Sequence, residues 1–241
     1  MLRAYLIDMT VIRDYARGIL ALGIFVASCV SLGMRTTVVA PGLLAMTYFL
    51  LGVTGTNSFD DLRGWGSFRL TMPLSRRDVV LARYGSILTL ALGGLAVGLV
   101  VALALSAVAL VVPLPDELSS TLIPSEGDLM VMGFTALACL TVGSLFAALE
   151  VPLYFRFGNT TVTQYLPLVP ILAVVCPIIV LAGSGTIDVS TLSPEALAGA
   201  LGLVASPVGV AACVVGMLAL SAVLLGISAA ISLRLYERRE L

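Results

Sequence analysis

The sequence contains no lysine and no histidine, and all 13 of its basic residues are arginine. These absences exclude whole classes of chemistry. A P-loop needs a lysine on the nucleotide phosphates, so the chain cannot build a standard ATPase site. Zinc sites built on histidine, catalytic triads and histidine proton relays are excluded as well. A membrane enzyme is left without a catalytic pair. No catalytic, cofactor or metal site is therefore expected in the chain itself. Charge is also scarce: 11% of the 241 residues are charged against 59% hydrophobic, a balance far from that of soluble domains. With a mean hydropathy of +1.10, the chain is expected to be an integral membrane protein. Cys29, Cys139, Cys176 and Cys213 all fall inside apolar runs. They imply no disulfide framework and read as small core residues.

What is present is a series of apolar runs divided by short polar intervals. The N-terminal stretch 1–17 interleaves Arg3, Asp8, Arg13, Asp14 and Arg17 with Leu2, Leu6, Ile7 and Ile12, which is unlike a cleaved signal peptide. It reads as an amphipathic helix in the cytoplasmic interface. Six spans follow: Gly18 to Met34, Val38 to Thr56, Gly85 to Val112, Leu129 to Leu149, Tyr165 to Ala182, and Val208 to Leu233. The third is long for a ~30 Å hydrocarbon core and must tilt or project. The fifth holds Pro167, Pro170 and Pro177 and is expected to be kinked. Stretches 113–128 and 184–207 read as extracytoplasmic; in the second, Ser193-Pro194-Glu195 opens a helix too short to cross. On this layout 12 arginines lie inside and only Arg35 outside, so both termini are cytoplasmic. The expected fold is all-α, a single multi-pass transmembrane domain over 1–241 in the cell membrane. No internal repeat is visible, which argues against inverted-repeat transporters.

The long polar interval of the first half runs from Asn57 to Tyr84 and carries Arg63, Arg69, Arg76, Arg77 and Arg83. Ser58 precedes Asp61 by three residues, and Ser75 precedes Asp78 by three. Each pair is a Ser-x-x-acid arrangement in which the hydroxyl caps a free N–H and the acid favours the helix N-terminus. Two helix starts are thus encoded, separated by Pro73. The first helix would present Leu62, Trp65, Phe68 and Arg69 at helical spacing, either to lipid headgroups or to a soluble partner.

The order Asp61, Gly64, Trp65, Phe68, then Leu70-Thr71-Met72-Pro73-Leu74-Ser75-Arg76-Arg77, then Val79-Val80 and Arg83-Tyr84 resembles the cytoplasmic loop between the second and third spans of type-2 ATP-binding-cassette permeases. The stretch Val151-Pro152-Leu153-Tyr154-Phe155-Arg156-Phe157-Gly158 is similar to the motif after that family's fourth span, with arginine at the usual lysine positions. The resemblance implies that 57–84 is a coupling segment docking on a separate ATPase subunit. Its contact residues would be Asp61, Leu62, Arg63, Trp65, Phe68, Arg69, Pro73, Ser75 and Arg76. Glu150, Pro152, Tyr154 and Arg156 would form a second cytoplasmic loop. ATP and magnesium would belong to the partner, and a short re-entrant helix would precede the last span. Two permease chains, identical or not, and two ATPases would assemble in membrane lipid, with no nucleic-acid partner.

No span carries an ionisable residue, and only Glu150 sits near an edge, where it is expected to face the cytoplasm. This disfavours a secondary transporter or channel. A membrane-embedded sensor or assembly factor stays open as an alternative. A pathway lined by Ser28, Thr47, Tyr48, Thr54, Thr135 and Thr141, without fixed charge, suits a lipid-like, amphipathic or peptide cargo better than a small ion.

Overall fold

A computed structural model describes residues 2–57, 75–112, 119, 122–158 and 207–237. Five α-helices make up the described fold: α1 (Leu2–Gly33), α2 (Val39–Leu50), α3 (Arg76–Val111), α4 (Glu126–Phe157) and α5 (Pro207–Glu237). There is no strand among the described residues. Four of the helices, α1, α3, α4 and α5, are long and apolar enough to cross a bilayer. The shorter α2 runs on through a π-helical turn, Leu51–Gly55. Between α1 and α2 Arg35 adopts a left-handed φ of 53°, reversing the chain in a minimal turn.

The N-terminal stretch and the first span, expected as separate elements, are one continuous helix of 32 residues. The reason is a single stripe: Ala4, Asp8 and Ile12, spaced one turn apart, are all buried. The other charges stay on the outer face, where Asp14 and Arg17 pair at 3.6 Å. α3 begins at the expected Ser75 start and runs without a break into the third span, nine residues ahead of its apolar run. At 36 residues it is about 54 Å long, well beyond a ~30 Å hydrocarbon core.

α2 is the centre of the bundle, packing on α1, α3 and α4. The approach of α3 is set by glycine. A Cβ added to Gly98 would lie 2.5 Å from Pro41 Cα, and one on Gly94 would lie 2.6 Å from the Leu44 carbonyl oxygen. From α4, Gly143 receives the Phe49 ring, where a Cβ would come within 2.7 Å. Gly133, by contrast, has nothing within 4 Å of an added Cβ among the described residues. Only backbones without side chains can meet this closely.

α4 and α5 run parallel. Thr141 accepts from Ser221 at 3.3 Å, Ala148 from Ser228 at 3.2 Å, and Phe155 meets Tyr236 with ring centroids 5.0 Å apart. α4 starts at a capping box, with Ser125 and Asp128 exchanging side-chain and backbone bonds. It continues eight residues past Leu149, so the stretch expected as a second cytoplasmic loop is the last two turns of a helix. Pro152 does not break it. Proline lacks the N–H that would bond the Ala148 carbonyl, and the Ser228 hydroxyl of α5 donates to that oxygen instead. Gly158, at φ 74°, then ends the helix.

Candidate functional site

The start of α1, the ends of α2, α4 and α5, and the start of α3 meet at one end of the bundle, and polar side chains concentrate there. Asp61, Leu62, Arg63, Trp65, Phe68, Arg69 and Pro73 lie outside the described residues. Their frame, Asn57 on one side and Ser75 on the other, is described.

Asn57 ends α2 just past the π turn. Thr56, beside it, donates back to the Gly52 carbonyl at 2.5 Å, spending its hydroxyl locally. The Asn57 side chain, 2% exposed, donates from Nδ2 to Glu150 Oε1 at 3.2 Å. Glu150 is therefore not turned to the cytoplasm as the sequence suggests: it is 3% exposed between α2 and α4. Its other oxygen, Oε2, has no hydrogen-bond partner among the described residues. A buried carboxylate is costly without partners, so this contact fixes the end of α2 against α4.

Ser75 caps α3. Its Oγ accepts from the Asp78 N–H at 3.0 Å and donates to Asp78 Oδ2 at 2.8 Å, as the Ser-x-x-acid spacing requires. Arg76 turns away from this cap. Its Nη1 donates to the carbonyls of Tyr236 and Glu237, each at 2.9 Å, and its guanidinium lies 5.7 Å from the Tyr236 ring centroid. Two turns on, the Tyr84 hydroxyl lies 2.6 Å from Ser228 Oγ and 3.0 Å from Ser232 Oγ. The one proton of Ser228 goes to the Ala148 carbonyl, so Tyr84 is the donor to Ser228 and Ser232 the donor to Tyr84. One hydroxyl chain thus joins α3, α4 and α5.

Arg83 is fully buried beneath this layer. Its Nε lies 4.0 Å from Asp8 Oδ2 of α1, and its guanidinium 5.9 Å from the Tyr154 ring centroid. Tyr154 and Pro152 are buried, whereas Arg156 is exposed, over the Phe157 ring at 4.9 Å.

The candidate pathway hydroxyls are spread over α1, α2 and α4, and the π turn that follows α2. Ser28, Thr47, Thr54, Thr135 and Thr141 each donate to the carbonyl four residues back. Tyr48 is buried and donates to the Ala16 carbonyl of α1 at 2.9 Å. Thr135 lines an apolar space of about 650 Å³ between α4 and α5, bounded also by Phe134, Ala138, Met217 and Leu220.

Sequence reasoning missed Asp8, Asn57, Ser228, Ser232 and Tyr236. The signal available for the serines was their i, i+4 spacing in an apolar run; for Asp8 it was the one-turn repeat with Ala4 and Ile12.

A family model described as ABC-2 family transporter protein matches residues 6–237. No curated protein and no solved structure matches the chain. The match runs from the first turns of α1 to the last residue of α5 and includes both ends of the polar layer, so the chain belongs to the ABC-2 family of transporter proteins as a membrane-spanning permease.

Proposed function

We propose that this permease forms the translocation pathway of an exporter and that its segment 57–84 docks on the ATPase subunit its family implies. The observation that carries this reading is α3. A single helix capped at Ser75 reaches through Val111 without a break, so a displacement at its polar end is carried into the bilayer as a rigid rod. Trp65 and Phe68 are the proposed anchors in the ATPase, with Asp61 and Leu62 beside them in the sequence-predicted docking helix and Arg63 and Arg69 as the proposed rim. Pro73 sets the angle between docking helix and rod.

Six spans with both termini cytoplasmic fit the described residues. Because α4 and α5 are parallel, the chain between Gly158 and Pro207 has to return to the opposite end, which supports a further span there. Arg76, Arg77, Arg83, Arg156 and Arg234 gather at the polar end while Arg35 sits at the other, which supports the polar end being cytoplasmic. Six spans are few to enclose a pathway, which favours one between two permeases, identical or not. Five of the six candidate pathway hydroxyls bond carbonyls of their own helices, which favours an apolar surface suited to a lipid-like, amphipathic or peptide cargo rather than an ion.

The test is co-purification with the ATPase followed by assay in liposomes carrying a fluorescent phospholipid analogue. Trp65→Ala should insert and dimerise normally but lose the ATPase, with a cost of about 2 kcal/mol or more at the anchor. Pro73→Ala should retain the ATPase yet hydrolyse ATP without moving the analogue. Full association and coupled transport in Trp65→Ala would sink the docking assignment.

A further inference from the structure

Arg76 stands at the first position of α3, where a cation does its own helix no good. The N-terminal end of a helix is the positive end of its dipole, and there Ser75 caps the Asp78 N–H while the Asp78 carboxylate supplies the favourable charge. The side chain points instead to the opposite kind of site. The last turn of α5 carries the negative end of its dipole, and the guanidinium bonds two carbonyls there, those of Tyr236 and Glu237, at 2.9 Å each. The ring of Tyr236 adds a cation–π face at 5.7 Å and is itself held by Phe155 of α4. A second attachment lies two turns further along the same face of α3. There Tyr84 bridges Ser228 and Ser232. Between the two attachments Val80 is buried in the same cluster as Tyr236, with Leu233 and Ala229 packed against it.

We propose that Arg76 is a positioning residue that clasps the end of the last helix to the head of α3, so that α5 moves with the coupling segment instead of Arg76 contacting the ATPase. The transmission part of this inference rests on the coupling role assigned to 57–84; the clasp itself does not. The consequence is a division of labour within the polar segment. Residues before Pro73 meet the partner, and the first residue of α3 distributes the displacement to a helix more than 150 positions away in the chain.

Two measurements test this. In the permease alone, hydrogen exchange of the last-turn amides of α5, residues 234–237, should accelerate about tenfold or more in Arg76→Ala, since charged hydrogen bonds to two carbonyls are lost. Arg77→Ala, which removes the same charge from an exposed neighbour, should leave exchange within twofold of wild type. Unchanged exchange in Arg76→Ala, or equal acceleration in both variants, would overturn the clasp. Should Arg76→Ala prove unfolded, Arg76→Lys carries the same test, a point charge holding one carbonyl in place of a fork holding two, with acceleration of at least threefold expected and none refuting it.

In the complex with its ATPase, the four native cysteines are replaced and Ala211→Cys placed at the far end of α5. The rate at which a maleimide labels it should depend on ATP and vanadate in the otherwise wild-type chain. With Arg76→Ala that dependence should fall at least fivefold while the ATPase still co-purifies. Loss of the ATPase would show Arg76 to be a docking residue, and an undiminished nucleotide response would show that α5 does not follow α3; either result refutes the proposal. A wild-type background that ignores nucleotide would remove the transmission role along with the coupling reading beneath it, and the exchange experiment would then judge the contact alone.

Discussion

Gly98→Ala is the sharpest perturbation of the bundle. The new methyl would sit 2.5 Å from Pro41 Cα and 2.9 Å from the Ala40 carbonyl oxygen, both backbone atoms of α2. Ordinary contact begins at 3.4 Å, so α2 and α3 would have to part by about 0.9 Å at this point, the difference between 3.4 and 2.5 Å. Backbone cannot rotate aside as a side chain can, and retreat also loosens the neighbouring seat of Gly94 on Leu44 and Tyr48. Overpacking of this kind costs about 1–3 kcal/mol, and the backbone contact places it near the upper end. Replacing glycine by alanine in a helix returns up to ~1 kcal/mol, leaving a net loss of about 2 kcal/mol, or roughly thirtyfold in the folding equilibrium. Gly93→Ala is the internal control: it lies five residues earlier in the same helix, is exposed, and has nothing within 4 Å of its added Cβ. It should be neutral or gain up to ~1 kcal/mol from propensity alone. The assay is reversible unfolding by SDS in mixed micelles, followed by helical circular dichroism. Equal midpoints for the two variants would show that α2 and α3 do not meet backbone to backbone, and the glycine argument would fail.

Ser75→Ala should lower stability by about 1 kcal/mol in the same assay through loss of the α3 cap; an unchanged midpoint would mean the cap is not formed. Asn57→Leu should cost about 1–3 kcal/mol because it strands the buried Glu150 carboxyl, while Asn57→Leu with Glu150→Leu should recover most of that loss; strict additivity in the double-mutant cycle would contradict a direct bond. Cysteines placed at Ser119 and Ser190 in a cysteine-free chain should be labelled from outside in intact cells, and protection of both would invert or dissolve the six-span layout. Rigorously purified permease should hydrolyse no ATP above background, since it has no lysine to hold the phosphates.

The membrane class, the Ser75 cap and the run of α3 through Arg83 and Tyr84 were legible because each is a local matter of composition or of spacing within one turn. The polar layer was not. Whether Glu150 faces water or protein is decided by Asn57, 93 residues away, and whether Pro152 breaks α4 is decided by Ser228. Neither partner leaves a mark at the position it controls. Asp8 looked like one of several charges on an interfacial helix, because charge interleaving does not say which member of the set turns inward to Arg83. Glycine gives a mixed lesson: among the described residues Gly94, Gly98 and Gly143 each seat a neighbour and Gly133 does not, and nothing local to each glycine separates the cases.

The glycine seats around α2 also bear on how the chain is assembled as it is made. α2 emerges from the ribosome after α1 and before α3, yet three of the notches that receive it, Gly94, Gly98 and Gly143, belong to α3 and α4, which are synthesised later, while Gly23 of α1 precedes it. It is also the shortest of the described helices and ends in a π turn with a buried Asn57, so in a nascent chain it meets lipid or translocon with a surface fitted for protein. A ribosome stalled between α2 and α3 would therefore present quality-control proteases with a poorly seated helix, whereas one stalled after α4 would present a closed core.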